Sequence, residues 1–207
     1  MYRRYTLSAD LQEKEKTMLT KTEAQPKSPH VCPHTISFFL DNRFRKIIQS
    51  PKRITGPYIK AGDTVIDIGC GPGFFSIEMA KLVGANGKVI AVDLQKKMIA
   101  HTKRKAAKYG MQDRMEFHQC EADHIGLNCK ADFILAFYMV HETPNRLQFF
   151  QEIKSMLKDG GRLLVVEPTM HVSQAAFARM LVDTESAGLR AVDFPRRKGG
   201  RSVLFSP

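Results

Sequence analysis

The feature that most constrains how this chain folds is the stretch VIDIGCGPGFFSIEMA at residues 65–80. An apolar run there ends in three glycines within five positions, Gly69, Gly71 and Gly73. Glycine adopts positive φ readily and lets a ligand approach the backbone closely. Such a turn between a strand and a helix indicates an α/β sheet that binds a ligand beyond the carboxyl end of the strand.

The rest of the chain from residue 61 onward fits that sheet, because β-rich apolar runs alternate there with helical patterns. Five strands are predicted, at residues 64–68, 89–93, 115–120, 133–137 and 162–166. A last pair, LRAVDF and SVLF, flanks the turn-rich PRRKGGR and predicts a hairpin whose final strand is antiparallel. The expected fold class is α/β, with a doubly wound, mostly parallel, Rossmann-like sheet of seven strands.

Helices are predicted at residues 74–82, 95–109 and 173–187. A further helix is predicted in TPNRLQFFQEIKSMLKDGG, with Thr143 as its cap, Pro144 at its first position and Gly160 as its left-handed C-terminal cap. Its inward face is expected to consist of Leu147, Phe150, Ile153 and Leu157.

The organisation predicted along the chain has three parts. Residues 1–29 are polar and form a leader, residues 30–60 form a helical cap or lid, and residues 61–207 form the sheet domain. No run reaches the roughly 18 apolar residues of a membrane span. The beginning of the chain lacks the apolar core of a secretory signal, so we expect a cytoplasmic protein.

The positive charge of the chain is concentrated at its two flanks. The formal net charge is +11, of which residues 1–60 contribute +7, residues 61–190 contribute +1 and residues 191–207 contribute +3. Basic flanks are compatible with binding to nucleic acid, but no aromatic residues interleave the basic ones in FPRRKGGR. A solvated surface is therefore the favoured interpretation.

The spacing of the glycines separates two classes of nucleotide site. A dinucleotide fingerprint needs GxGxxG, which would place a glycine where this chain has Phe74, and the pattern here is DxGxGxG. Asp67 precedes the glycines, and Asp93 ends the next predicted strand. A carboxylate at that strand end can accept hydrogen bonds from two vicinal ribose hydroxyls, which implies a ligand that carries adenosine.

Four motifs in this order resemble the class I S-adenosylmethionine-dependent methyltransferases, in particular the small-molecule branch related to quinone-biosynthesis methyltransferases. VIDIGCGPG is similar to the first motif of that family, VIAVDL to its acidic second strand end and FHQCEADHIGL to its third motif. LKDGGRLLVVEP is similar to the passage into its fifth strand. The resemblance covers about residues 60–207 and implies the cofactor S-adenosylmethionine.

The resemblance also implies roles for individual residues. The first motif would hold the methionine end of the cofactor, with Asp67 near its amino group, and Asp93 would hold the ribose. The adenine would lie against Leu94 and Met98, and either Glu121 or Asp123 would stand near its amine. The predicted cofactor site is therefore Asp67, Gly69, Cys70, Gly71, Gly73, Asp93, Leu94, Met98, Glu121, Ala122, Asp123 and Phe137.

Candidate catalytic residues follow the fourth predicted strand, in LAFYMVHETP. Phe137 is expected at the strand end over the cofactor, and Tyr138, His141 and Glu142 in the loop that faces the acceptor. An imidazole has the intrinsic pKa of a general base near neutrality, although His141 is equally well interpreted as making a local hydrogen bond. Glu167 and His171 open onto the same rim and are expected to bind substrate, and a cap on the following turn is the alternative for Glu167.

The acceptor class can be narrowed but not named from the sequence. The fourth strand lacks the NPPY-type tetrad that similar N-methyltransferases use for amide or exocyclic amine nitrogens, so a thiol, hydroxyl or carbon acceptor on a small molecule is expected. RNA methylation through the basic flanks and a non-catalytic cofactor-binding protein are the alternatives. His30, Cys32 and His34 form an HVCPH segment without a clear fourth ligand, and no metal site is predicted.

Overall fold

The computed structural model describes residues 50–207, and they form a seven-stranded sheet with helices on both faces. The strand order is β3-β2-β1-β4-β5-β7-β6. The strands are β1 (Thr64–Ile68), β2 (Lys88–Asp93), β3 (Met115–Gln119), β4 (Ala131–Phe137), β5 (Leu157–Pro168), β6 (Arg190–Asp193) and β7 (Gly200–Ser206). The predicted strand positions and fold class are confirmed.

The sheet is parallel from β3 to β5, and β7 runs antiparallel to β5 and to β6. The central strands read as almost continuous apolar runs because both faces are covered: residues 65–68 of β1 and 133–137 of β4 are all buried. β1 sends its connection to one face and β4 sends its connection to the other. The crevice between their carboxyl ends is thus the switch point of the sheet.

The helices are α1 (Pro51–Thr55), α2 (Ser76–Leu82), α3 (Lys96–Lys108), α4 (Arg146–Met156) and α5 (Gln174–Ser186). Alternate residues of each strand supply the two apolar cores. Ile66 and Ile134 belong to the core under α4 and α5, and Val65 and Phe133 belong to the core under α1, α2 and α3. A one-residue change of register would exchange these two sets of side chains.

The predicted ends of α4 are wrong. The helix begins at Arg146 and is capped by Asn145, whose side chain accepts a hydrogen bond from the Gln148 N–H. Thr143 follows a 3-10 turn and is extended, which agrees with the restriction that a proline places on the residue before it. The inward face is also different, because Phe149 is buried whereas Leu147 is 40 % exposed.

Gly160 is not a helix cap. The helix stops at Met156, and the chain is already in β5 from Leu157 onward. Gly160 has a φ of +78°, and the pairing of β4 with β5 shifts register in this region. At Gly161 an added Cβ would lie 3.0 Å from the carbonyl oxygen of Ala131. These glycines permit a β-bulge and close backbone packing.

Most of the predicted leader and cap, residues 1–49, lies outside the described residues, as do His30, Cys32 and His34. The described part of the predicted cap is α1 and a 3-10 turn at Gly56–Tyr58. Tyr58 stacks on Phe133 with 5.6 Å between ring centroids. Within residues 50–207, no helix combines the length and apolar character of a membrane span.

Candidate functional site

The glycine turn at the end of β1 is fixed by its neighbours on both sides. The N–H groups of Gly69 and Cys70 both donate to the carbonyl oxygen of Val92, at 2.9 Å. From α3, the Thr102 hydroxyl donates to the carbonyl oxygen of Gly71 at 2.8 Å. The turn is therefore tied both to β2 and to the helix that follows β2.

Gly69, Gly71 and Gly73 all have positive φ, but they make room for different things. An added Cβ at Gly69 would lie 2.9 Å from Met139 Cγ, and one at Gly73 would lie 2.8 Å from Thr102 Cγ2. At Gly71 an added Cβ would meet no atom within 4 Å. Gly69 and Gly73 thus admit protein side chains, and Gly71 faces open space.

Asp93 ends β2 directly beside this turn and is 8 % exposed. Its Oδ2 accepts a hydrogen bond from the Gly71 N–H and its Oδ1 accepts one from the Gln95 N–H, both at 2.8 Å. Burial raises the pKa of the carboxyl, and the two backbone hydrogen bonds partly oppose that rise. Each carboxylate oxygen retains a lone pair for a further donor.

Asp67 lies deeper in the fold than the resemblance implies. It is 2 % exposed, and its Oδ2 accepts a hydrogen bond of 2.5 Å from the hydroxyl of Ser76, in the first turn of α2. The contact ties the end of β1 to the start of α2. A contact between Asp67 and the amino group of a cofactor stays a prediction.

A cavity of about 680 Å³ opens beyond the carboxyl ends of β1, β2 and β4. Its wall includes thirteen of the fifteen predicted site residues: Gly69, Cys70, Gly71, Asp93, Leu94, Met98, Glu121, Ala122, Asp123, Phe137, Tyr138, His141 and Glu142. Asp67 and Gly73 are not part of the wall. The sequence motifs therefore converge on one concave site of the size of a small-molecule pocket.

One end of the cavity lies between Asp93 and the loop that follows β3. Leu94 and the buried Met98 supply apolar surface there, and Glu121 and Asp123 are both exposed. A further carboxylate, Glu152 of α4, also belongs to the wall. Its Oε2 accepts a hydrogen bond from the Ile125 N–H at 2.8 Å and lies 3.0 Å from His124 Nδ1, so it holds the loop in place.

At the other end of the cavity stands a pair of ionisable side chains on neighbouring strand ends. His141 Nδ1 lies 2.5 Å from Oε2 of Glu167, and Oε1 of Glu167 accepts a hydrogen bond from the Val140 N–H at 2.9 Å. Glu167 is 1 % exposed, whereas His141 is part of the cavity wall. The hydrogen bond to Glu167 raises the pKa of His141, and partial burial opposes that rise.

The contacts of Glu167 in this pair differ from both interpretations that the sequence left open for it. Glu167 is not part of the cavity wall, and its carboxylate contacts His141 and the Val140 N–H instead. A carboxylate on Nδ1 fixes the orientation of an imidazole and leaves Nε2 for another partner. His171 lies next to it, with 6.1 Å between the two imidazole centroids.

Tyr138 is the one described non-glycine residue with positive φ, at +60°. Its ring packs on Phe137 with 4.2 Å between centroids, and its hydroxyl donates a hydrogen bond to the carbonyl oxygen of Gly199 at 3.1 Å. Strained backbone of this kind clusters at functional sites and persists only where its surroundings fix it. The hydrogen bond from Tyr138 to Gly199 joins the end of β4 to the turn between β6 and β7.

The thiols on the cavity wall are held in the protonated form. Burial, reinforced by the charge of Asp93, raises the pKa of Cys120 to about 11. Burial also raises the pKa of Cys70 well above its ordinary value. Among residues 50–207, no three His, Cys, Asp or Glu side chains are arranged to hold a metal ion.

Several wall residues have no motif that would identify them in the sequence. Met139 packs against Gly69, Glu152 belongs to a helix distant in sequence, and Lys198 lies in the last hairpin. The hairpin carried a signal in its turn-rich composition, and Met139 lies within the segment LAFYMVHETP that the sequence predicted at the site. Glu152 reaches the site through tertiary packing alone.

Comparisons with known proteins agree with this geometry. A family described as "methyltransferase domain" matches residues 59–193. A demethylmenaquinone methyltransferase of Lactobacillus johnsonii is 30 % identical over 110 residues, which are 53 % of this chain and 45 % of the relative. A probable cobalt-precorrin-6B C(15)-methyltransferase (decarboxylating) of Saccharolobus solfataricus is 42 % identical over 67 residues, which are 32 % of this chain and 34 % of the relative.

The chain spans about half the length of the curated relatives it matches. Among solved structures, a SAM dependent methyltransferase from Aquifex aeolicus superposes with a TM-score of 0.76 at 25 % identity. The match covers 84 % of this chain and 98 % of that one.

Proposed function

The chain belongs to the class I S-adenosylmethionine-dependent methyltransferases, and from that premise we propose that it methylates a hydroxyl, thiol or carbon atom of a small molecule. The observation that carries the proposal is the single cavity that joins Gly71 and Asp93 at one end to His141 at the other. S-adenosylmethionine supplies the activated methyl group when it is bound.

The residues present fit that cofactor. The open space at Gly71 leaves room for a ligand against the backbone, where any side chain would project into the cavity. The Asp93 carboxylate is held in place by two backbone amides and can accept from ribose hydroxyls. Leu94 and Met98 provide apolar surface for the base, and Glu121 and Asp123 remain the two candidates for its amine.

The size and the lining of the cavity favour a small acceptor over RNA. A volume of about 680 Å³ lies in the range of small-molecule pockets. Phe75, Phe137 and Tyr138 form a row of packed rings along the wall, with centroids 4.4 and 4.2 Å apart. Such surfaces suit a flat apolar acceptor body.

The proposed roles on the acceptor side follow from the His141–Glu167 pair. His141 takes the proton of the acceptor as general base, and Glu167 positions its imidazole and stabilises the imidazolium that results. Tyr138 and Glu142 line the same end and orient the acceptor. Orientation and exclusion of water account for much of the rate of such a transfer, and alignment alone contributes about 7–11 kcal/mol.

The experiment that tests the proposal has two parts. Calorimetry should detect binding of S-adenosylhomocysteine to the folded protein, and a metabolite extract incubated with isotopically labelled methyl donor should yield a labelled small molecule by mass spectrometry. His141→Gln should keep the binding and lose the labelling. A folded protein that binds no S-adenosylhomocysteine contradicts the proposal.

A further inference from the structure

The turn between β6 and β7 places a lysine on the rim of the cavity. Arg197 and Gly200 pair with each other, so Lys198 and Gly199 are the two central residues of the turn. The wall of the cavity includes both of them. Lys198 therefore occupies a defined position at the mouth.

The turn is held in that position from three sides. The carbonyl oxygen of Gly199 accepts hydrogen bonds from the Tyr138 hydroxyl at 3.1 Å and from the Thr169 N–H at 3.2 Å. From the third side, Arg197 reaches the carbonyl oxygen of Ile54 at 3.5 Å and the Tyr58 hydroxyl at 3.4 Å. The position of Lys198 is thus set by residues from three separate parts of the chain.

Two neighbouring basic residues, Arg197 and Arg201, are engaged in structural contacts, and Lys198 is not. The guanidinium of Arg201 donates to the carbonyl oxygen of Val172, and that of Arg197 braces residues 54 and 58. Within the described part of the chain, the Lys198 ammonium makes no hydrogen bond and no ion pair. Its charge is available to a ligand in the cavity.

Lys198 and His171 lie on the cavity wall, and neither side chain is paired with a carboxylate among the described residues. His141 belongs to the same wall but is paired with Glu167, and the wall also includes the carboxylates of Asp93, Glu121, Asp123, Glu142 and Glu152. Glu167 lies behind the wall, where it is committed to His141 and to the Val140 N–H. An anion in the acceptor site would meet an ammonium and two imidazoles on a largely apolar wall.

We propose that the acceptor carries an anionic group, of the carboxylate or phosphate class, that Lys198 and His171 bind at the rim while His141 faces the atom to be methylated. This inference rests on the proposed function, because it assigns the substrate class of the same site. From the row of aromatic rings formed by Phe75, Phe137 and Tyr138 in the wall, we further infer that the anionic group is attached to a flat body.

The test uses matched probes on the protein saturated with S-adenosylhomocysteine. Calorimetry compares 4-hydroxybenzoate with 4-hydroxybenzamide, which has a similar shape but no charge, and with phenyl phosphate. We expect one of the two anions to bind at least about tenfold more tightly than the amide. Which anion binds more tightly distinguishes a carboxylate from a phosphate ligand.

Variants then locate the effect. Lys198→Met keeps the apolar stem and removes the charge, and it should weaken binding of the preferred anion about tenfold while the affinity for the amide and for S-adenosylhomocysteine stays unchanged. Lys108→Met removes the same charge from an exposed position of α3 outside the cavity and should change none of these affinities.

The outcomes separate the two proposals. If the wild type binds no S-adenosylhomocysteine, the proposed function fails, and the inference fails with it. If S-adenosylhomocysteine binds but neither anion binds at millimolar concentration, or the amide binds as tightly as the anions, only the inference is overturned. Equal losses in Lys198→Met and Lys108→Met overturn it as well, because they show a general effect of net charge.

Discussion

A substitution at Gly71 should separate the stability of the glycine turn from its binding function. Gly71 has a φ of +52°, and an added Cβ there would meet no protein atom within 4 Å. Gly110 is a matched control, with a φ of +63° and the same open space, but it lies after α3 and outside the cavity wall. Alanine at either position therefore suffers the same kind of backbone strain.

The magnitudes follow from that match. A left-handed conformation costs a residue with a Cβ about 1–2 kcal/mol, so both Gly71→Ala and Gly110→Ala should lower the free energy of unfolding by about that amount. For a chain of this size the loss corresponds to a fall in Tm of roughly 2–8 °C. Because the methyl group at residue 71 points into the cavity, only Gly71→Ala should also weaken the binding of S-adenosylhomocysteine, by at least about tenfold or 1.4 kcal/mol.

Thermal unfolding and calorimetry on the wild type and both variants measure the two effects separately. If Gly71→Ala binds S-adenosylhomocysteine with wild-type affinity, the space at Gly71 does not receive the cofactor. If Gly110→Ala loses the same affinity as Gly71→Ala, the loss comes from general destabilisation. Either result refutes the reasoning.

Three further predictions concern the remaining parts of the molecule. Asp93→Asn should lower the free energy of unfolding by about 1–3 kcal/mol and weaken the binding of S-adenosylhomocysteine at least about tenfold. The reason is that an amide has one acceptor oxygen for the two N–H groups that Asp93 now satisfies. An unchanged free energy of unfolding in urea and an unchanged affinity by calorimetry would contradict this prediction. Because Glu167 raises the pKa of His141, the pair stabilises the fold fully below the ordinary pKa of 6.5, and that contribution is lost as pH rises through the raised value. Urea unfolding at a series of pH values should show this fall in the wild type, and the same fall in His141→Gln would rule out His141 as its source. Ile134 is fully buried in β4 and is not part of the cavity wall. Ile134→Val should therefore lower the free energy of unfolding by about 0.5–1.5 kcal/mol and leave the affinity for S-adenosylhomocysteine unchanged. A reduced affinity would show that the packing of the core affects the binding site.

The parts of the fold that the sequence predicted well are those in which burial alone determines the residue types. The runs at residues 64–68 and 133–137 are buried on both faces of the sheet, and composition alone therefore identifies them as central strands. The start of α4 was predicted wrongly because Thr143 has a side chain that can cap a helix and Pro144 suits a first helical position. Asn145 takes the place of the cap, where its side chain accepts a hydrogen bond from the Gln148 N–H, although the extended backbone of Thr143 also suits a cap.

The site shows the same division. The local spacing of the sequence identifies the glycine turn and Asp93, because their contacts are with neighbours close to them in the chain and on the adjacent strand. Glu152 lies on the same cavity wall, but no local pattern marks it, because tertiary packing alone brings α4 to the site. The turn-rich composition around Lys198 predicted a hairpin but not its place on the wall. Gly160 illustrates the converse error: a glycine that suits a helix cap also suits a bulge, and only the pairing of β4 with β5 decides between them.

The ligand-facing residues follow the carboxyl ends of the strands. The loops at the amino ends of the same strands are therefore suited to chemical attachment. The turn before β2 lies at the amino ends of the strands, and Asn86 in that turn is exposed. A fluorophore or a surface linker coupled through a cysteine at residue 86 would leave the mouth of the cavity facing the solution. Single-molecule and surface-capture assays of ligand exchange are therefore feasible on the intact chain.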